Sequence, residues 1–419
     1  MLILNARYVL PVNQPAIRDG AILIEGSRIR AVGPRTLLLK DHPEATGRDL
    51  GEAILLPGLI NVHTHLELSV LRGQVHPGHS FVDWVLTLLE RKQGLGWEAY
   101  VTAVEEGIAE LIRSGTTTVG EVSSIGASFM GLKRSGLRGV VYREIIGLDD
   151  TRAEAISEMP FAHIEAMREE ARGTPLDVGI SPHAIYSVSP QLLRLCRQFQ
   201  QRARLKAAIH AAESPAEIEY LRSGTGEIRR RLLPATGWGE LPPPTLGTSP
   251  VAYLHGLGVL DPECLLIHAV HLTEEDLDIL AKSDVKVAHC PRSNAHLGVG
   301  QAPLKALLGR GIATGLGTDS LASNQSLSLW DEVRFAHRAH GGLLSPEEWI
   351  TMATLGGAQA LGLDREIGTL EPGKRADLTA VTLGKAGADP YEYLLDEASP
   401  EKVRLTMVNG VSLFEREET

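Results

Sequence analysis

Two histidines separated by one residue, His63 and His65, end an apolar run in the stretch LLPGLINVHTHLELS, residues 55–69. On a strand, residues two apart point the same way, so both imidazoles would face one side. Taken alone, so short a motif is equally well explained as two satisfied polar residues at a strand end. The rest of the chain repeats the arrangement. Apolar runs deliver His183 in SPH, His210 in AIHAAE, His268 and His271 in IHAVH, His289 in AHCPRSN and Asp319 in GLGTDS. Imidazole nitrogen and carboxylate oxygen together suit Zn or Fe, and a catalytic site of that kind keeps one position for water. Glu213 follows His210 by three residues; an acid there is also what the opening turn of a helix favours.

Such residues need elements that bring them to one place. From residue 55 onward, β-rich runs alternate with helical ones. The candidate strands are ILLPGLINVH, TTTVGEV, RGVVYREII, LDVGISPH, LKAAIHAAE, LLIHAVH, VKVAHCPRS and IATGLGTDS. Between the first two lies EAYVTAVEEGIAELIRSG, residues 98–115, whose apolar positions recur at three and four and which ends on Gly. Eight strand–helix units predict an α/β fold, a (β/α)8 TIM barrel, whose catalytic groups collect at the carboxyl ends of the strands. Six of the eight candidate strands end in a His or Asp, so the barrel would place them on one rim. A doubly wound open sheet fits less well, because no Gly-rich phosphate loop follows the first strand.

Both ends of the chain alternate apolar and polar residues around Gly turns, as half-buried antiparallel strands do. Neither piece is long enough for a core of its own. The expected organisation is residues 1–54 plus 366–419 as one composite β-sandwich and residues 55–365 as the barrel. An insertion at about residues 224–262, containing RRR and LPPPTLGTSP, reads as a long loop beside the mouth of the site.

Composition narrows the partners. The chain has 419 residues, 43% of them apolar, and a formal net charge of -11, which disfavours nucleic acid as a partner. Cys196, Cys264 and Cys290 are too few and scattered for a disulfide framework, so a reducing, cytoplasmic setting is expected. The start, MLILNARYVLPVN, lacks the layout of a signal peptide, and no run approaches a membrane span. A small-molecule substrate is expected, with no membrane partner. The sequence specifies no interface, so a homo-oligomer stays open. HExxH and the HxE/PCxxC signature of cytidine-type deaminases are both absent.

Together, PGLINVHTH, HAAES, HAVHLTEED, HCPRSNAHLG, LGTDSLASNQSLSLWDEVRFA and IGTLEPGKRADL resemble the amidohydrolase superfamily, in its branch of purine and related deaminases. The resemblance covers essentially the whole chain. It implies a barrel with a composite β-sandwich and one divalent metal, usually Zn or Fe. His63, His65, His210 and Asp319 would be the metal ligands. His268, which opens its motif, would stand beside the bound water, and Glu213 would carry the proton to a ring nitrogen. The two-metal members use a carboxylated Lys at the end of strand four; LDVGISPH offers none, and Lys206 opens strand five at the other end of the barrel. The implied reaction is hydrolytic deamination of an adenine-type ring through attack by metal-bound hydroxide, with Glu213, His268 and Asp319 catalytic. Guanine deamination, triazine dechlorination and cyclic-amide opening are the alternatives on such a site; a non-catalytic scaffold would lack these ligands.

The stretch SFVDWV, residues 80–85, resembles deaminases of S-adenosylhomocysteine, methylthioadenosine and 6-amino-6-deoxyfutalosine. Phe81 and Trp84 would then stack on the purine, or simply pack their helix. His183 would touch the substrate or support those that do. Many members of this branch place a ribose-binding Glu nine residues after the Trp; here Gln93 stands there. Arg222, Arg229, Arg230 and Arg231 either meet a substrate carboxylate or form a solvated run.

Overall fold

The computed structural model describes residues 1–243, 246–384 and 389–416. Residues 244–245 of the expected insertion, and 385–388 and 417–419 of the expected sandwich, lie outside the described residues. Eight parallel strands pair in chain order: Leu59–Thr64, Thr116–Ser123, Arg138–Ile145, Leu176–Pro182, Ala207–Ala211, Cys264–His268, Lys286–His289 and Thr314–Leu316. The first and last strands meet where the Asp319 amide donates to the His63 carbonyl at 3.0 Å. This is the (β/α)8 barrel. Strands buried on both faces read as near-continuous apolar runs, and every residue of the first two strands is buried. Ile60, Val122, Tyr142, Ala208, Ile267 and Ala288, from six strands, meet one another across the barrel interior. Val119, Val141, Ile180, Ile209 and Leu266 face the surrounding helices.

The helix expected between the first two strands spans Trp97–Arg113, burying Tyr100, Val104, Ile108 and Leu111 at the expected spacing. Gly115 then turns the chain back at φ +87°. Strands from both ends of the chain form one mixed eight-stranded sheet outside the barrel. Its path runs Val411–Glu415, Val403–Val408, Leu378–Thr382, Ala53–Pro57, Leu2–Val9, Ile17–Glu25 and Arg28–Pro34, with Thr46–Asp49 also against Leu2–Val9. One face buries Leu4, Ile22, Leu55, Leu378 and Leu405; the other buries Ile3, Ala21 and Leu23 against Leu38.

Two expectations are corrected. The run ILLPGLINVH is two strands, not one: Ala53–Pro57 belongs to the terminal sheet and Leu59–Thr64 to the barrel. The crossing point is Gly58, where a Cβ would stand 2.1 Å from Thr117 side-chain atoms, so no larger residue fits. The expected boundary after residue 54 therefore falls inside a strand. The insertion is also not a plain loop. It contains a π-helical turn at Ile228–Leu232 and a helix at Pro250–Gly256, capped by Ser249, which accepts from the Ala252 amide at 3.0 Å. Ile228, Leu232, Val251 and Leu254 join the main core. No helix among the described residues is long and apolar enough to cross a membrane.

Candidate metal centre and active site

At the carboxyl ends of strands one, five and eight, four ligand-type side chains converge. His65 Nε2 lies 3.2 Å from His210 Nε2, and Asp319 Oδ1 lies 3.5 Å from His63 Nε2 and 3.8 Å from His65 Nε2. Two ligand atoms each about 2.1 Å from one ion at tetrahedral angles stand about 3.4 Å apart. The spacings therefore suit one divalent cation. His63 Nε2 is buried without a hydrogen-bond partner, as a donor atom reserved for a metal would be.

Two of the four, His210 and Asp319, are held from behind. The His210 Nδ1–H donates to the His183 carbonyl at 3.0 Å, which turns the Nε2 lone pair towards the cluster. Asp319 Oδ2 accepts from Ser293 Oγ at 2.6 Å and Ser323 Oγ at 3.0 Å. Behind the first strand, the buried Glu121 accepts from Thr64 Oγ1 at 2.6 Å and from the Leu66 amide. Pleating alone does not aim these groups. The register of strand one against strand two shifts between Asn61 and Thr64, and such irregularities redirect side chains. Ala212, His268, Ala269 and Asp319 all take φ between 49° and 73°. Non-glycine residues in that region cost of order 1–3 kcal/mol each and are kept where surrounding structure over-determines them.

Beside the cluster, His268 Nε2 lies 3.4 Å from Glu213 Oε1, and His268 Nδ1 pairs with Asn294 Oδ1 at 2.9 Å. The Glu213 backbone is fixed by Glu217, which accepts from its amide at 2.8 Å and from that of Ala212 at 3.1 Å. Burial, with Asp319 nearby, pushes Glu213 well above the ordinary carboxyl range. Burial alone would raise Asp319 too, but the adjacent His63 and the other surrounding imidazoles outweigh it and hold this carboxyl well below that range. Burial and then His63 bring His65 down to about 3, and burial lowers His63, His210 and His268 as well. Burial thus favours neutral imidazoles, the form that binds metal, and a protonated Glu213, while the imidazoles around Asp319 favour its ionised form. Two carboxyls in one pocket have been driven apart, the condition for separate acid and base roles.

These groups open into a cavity of about 160 Å³, lined also by Phe81, Trp84, His183, Tyr186 and Ser320. All the expected site residues meet here except His63, which stands directly behind the lining. Phe81 and Trp84 lie with ring centroids 6.3 Å apart, and the Trp84 Nε1–H donates to the Ala322 carbonyl at 3.2 Å. His183 pairs through Nδ1 with Ser187 Oγ at 2.6 Å. Two rim histidines do not join the site. His271 donates to the Val299 carbonyl at 2.7 Å, and His289 faces His340 across 3.1 Å. The three cysteines are buried and free. Lys206 pairs with Asp177 at 2.9 Å, at the opposite end of strand four from the site.

None of the four arginines lines this cavity. Arg229 donates to the Leu241 carbonyl at 2.7 Å, while Arg231 bonds Asp83 at 2.5 Å and Glu227 at 2.8 Å. The cation in the cavity wall is Lys92, which sequence reasoning missed, along with Glu144, Tyr186 and Ser124. Ser293 and Asn294 were also missed, although they stand inside the HCPRSN motif. Lys92 carried a signal as well, since it shares the helical spacing of Phe81 and Trp84.

A model of the amidohydrolase family matches residues 54–413. The 5-methylthioadenosine/S-adenosylhomocysteine deaminase of Nitratidesulfovibrio vulgaris (strain Miyazaki F) is 33% identical over 96% of this chain and 90% of its own length. The protein of the same name from Moorella thermoacetica is 32% identical over 98% and 93%. Among solved structures, a zinc-bound adenosine deaminase from Xanthomonas campestris superposes with a TM-score of 0.83 at 27% identity, covering 98% of this chain and 92% of that one. Helicobacter pylori aminofutalosine deaminase shares the fold, with a TM-score of 0.87 at 23% identity, covering 98% and 100%. This chain belongs to the amidohydrolase family.

Proposed function

We propose that the protein is a metal-dependent hydrolase of carbon–nitrogen bonds that deaminates an adenine-type nucleoside of the S-adenosylhomocysteine, methylthioadenosine or aminodeoxyfutalosine class. The observation that carries this reading is the convergence of two buried ligand groups that share His63, one with His65 and Asp319 and the other with His210 and His268, beside a buried Glu213 held well above the ordinary carboxyl range. The names borne by its relatives support the same reaction.

His63, His65, His210 and Asp319 would hold one divalent ion, Zn by preference and Fe as the other candidate. Such an ion supplies hydroxide from water at neutral pH. Glu213, kept neutral by burial, donates its proton to the ring nitrogen next to the attacked carbon and so makes that carbon electrophilic. His268, with its Nδ1 on Asn294, directs Nε2 towards the attacking oxygen and Glu213. Asp319 is ionised and accepts the proton of the attacking water, which then reaches the departing ammonia. Phe81 and Trp84 supply apolar faces for the ring, and His183 a polar contact. The division of labour is a barrel that carries the chemistry and a terminal sheet that closes its flank, with the boundary at Gly58. The buried, free cysteines support a reducing compartment.

Ammonia release is the test, using zinc-loaded protein with aminodeoxyfutalosine, S-adenosylhomocysteine, methylthioadenosine, adenosine and guanine. Turnover of an adenine nucleoside that Glu213→Gln abolishes is expected. No ammonia from any of them, at one metal per chain, would sink the reading.

A further inference from the structure

One helix, Phe81–Lys92, roofs the active cavity with a whole face: Phe81, Trp84, Val85, Leu88, Leu89 and Lys92 all line it. Their spacing by three and four puts them on one side of the helix, and at 1.5 Å per residue the face runs about 16 Å. It is apolar along its length and charged at its end. Arg91, in the same last turn, is exposed, as a basic residue complementing the helix dipole ordinarily is. Lys92 is half-buried and belongs to the cavity wall instead.

Among the described residues, the Lys92 ammonium makes no hydrogen bond and has no carboxylate within 4.0 Å. Another charged group lining the cavity, Glu144, is engaged by Ser124 Oγ at 2.5 Å; it lies within electrostatic range of Lys92 but makes no contact with it within 4.0 Å. A half-buried ammonium with no hydrogen-bond acceptor in contact is free to form a charge-assisted hydrogen bond to an anion that enters the cavity. The apolar face before it would admit that anion only at the end of a largely apolar or aromatic stem.

Building on the nucleoside reading above, we propose that Lys92 is a specificity-determining residue that pairs with a carboxylate on the non-reacting part of the substrate. S-adenosylhomocysteine carries such a group on an amino-acid tail and aminodeoxyfutalosine on an aromatic ring; methylthioadenosine has none.

The experiment is calorimetric binding of these three compounds to the metal-loaded Glu213→Gln protein, with and without Lys92→Met. Loss of a hydrogen-bonded charge pair weakens the carboxylate compound that uses it by about 10- to 100-fold. Methylthioadenosine binding stays unchanged, and Lys92→Arg restores most of the loss. Which of the two carboxylates suffers identifies the source of the anion. Equal weakening of all three compounds, or of neither carboxylate, overturns the role of Lys92, while ammonia release by the wild-type protein would still stand. Binding of none of the three overturns this proposal together with the reading it rests on.

Discussion

The two sides of the active cavity are built on different principles. The floor is made of strand ends: His63, His65, His210, His268 and Asp319 come from four strands, and hydroxyl, amide or carbonyl groups hold three of them from behind. The roof is one face of a single helix, in which, among the described residues, only Trp84 has a polar anchor to the barrel, on the Ala322 carbonyl. A floor of this kind tolerates no displacement, because metal and proton transfer demand fixed atoms. A roof of apolar and aromatic side chains can change its lining and so its substrate. Chemistry and specificity are thus separable here, and mutations on the two sides are expected to fail in different ways.

The largest break is on the floor. Asp319→Asn removes the ionised ligand, and metal affinity should fall by more than the 10- to 100-fold typical of a lost outer partner; metal analysis after dialysis reads this directly, and full retention of metal would contradict the assignment. Glu213→Gln comes next. Losing the general acid should lower kcat by about 10²- to 10⁴-fold with metal content intact, which separates proton transfer from metal binding in steady-state kinetics.

The pH profile sharpens the same point. In the proposed mechanism Glu213 acts protonated, and burial, with Asp319 nearby, favours that form above the usual carboxyl range. The active fraction is therefore full at low pH and falls as pH rises through that pKa, placing a descending limb of kcat on the alkaline side. A profile that instead rises there would assign Glu213 to base catalysis. Asn294→Ala frees His268 Nδ1 and should cost about 10- to 100-fold in kcat, the scale of a lost supporting partner, with KM little changed.

On the roof the expected effect is the smallest and falls on a different parameter. Trp84→Leu keeps the site dry but removes an aromatic face, worth about 0.5–1.5 kcal/mol beyond area, so KM should rise a few-fold while kcat holds. A loss in kcat comparable to that of Asn294→Ala would erase the distinction between floor and roof.

Legibility in the sequence follows the same divide. His63, His65, His210 and Asp319 sit at the ends of apolar runs, so strand periodicity and barrel geometry suffice to bring them to one rim. His289 and His271 obey the same pattern yet end outside the cavity: strand alternation turns His289 away from the interior that Ala288 and Cys290 face, and His271 lies three residues past its strand end. The arginine run, conspicuous in sequence, reads either as a substrate-carboxylate contact or as a solvated charge run, and none of it lines the cavity. Arg231 instead spends its charge on Asp83 and Glu227. Lys92 is inconspicuous beside Arg91 and became visible only once the helix was laid over the barrel.

What the sequence by itself determined is the alternation of strands and helices, the barrel that follows from it, the terminal strands and the rim of histidines and Asp319, from which the family resemblance singles out the ligands. These rest on local periodicity and on residue chemistry, which act over a few positions. Only the tertiary structure decided where the first apolar run breaks, at Gly58 against Thr117. It also decided that His268 and Asp319 take left-handed backbone conformations at the site, and that Lys92 is a cation in the cavity wall. Those outcomes depend on contacts between segments far apart in the chain, where steric fit and the pairing of charges choose among conformations that local propensity leaves nearly equal.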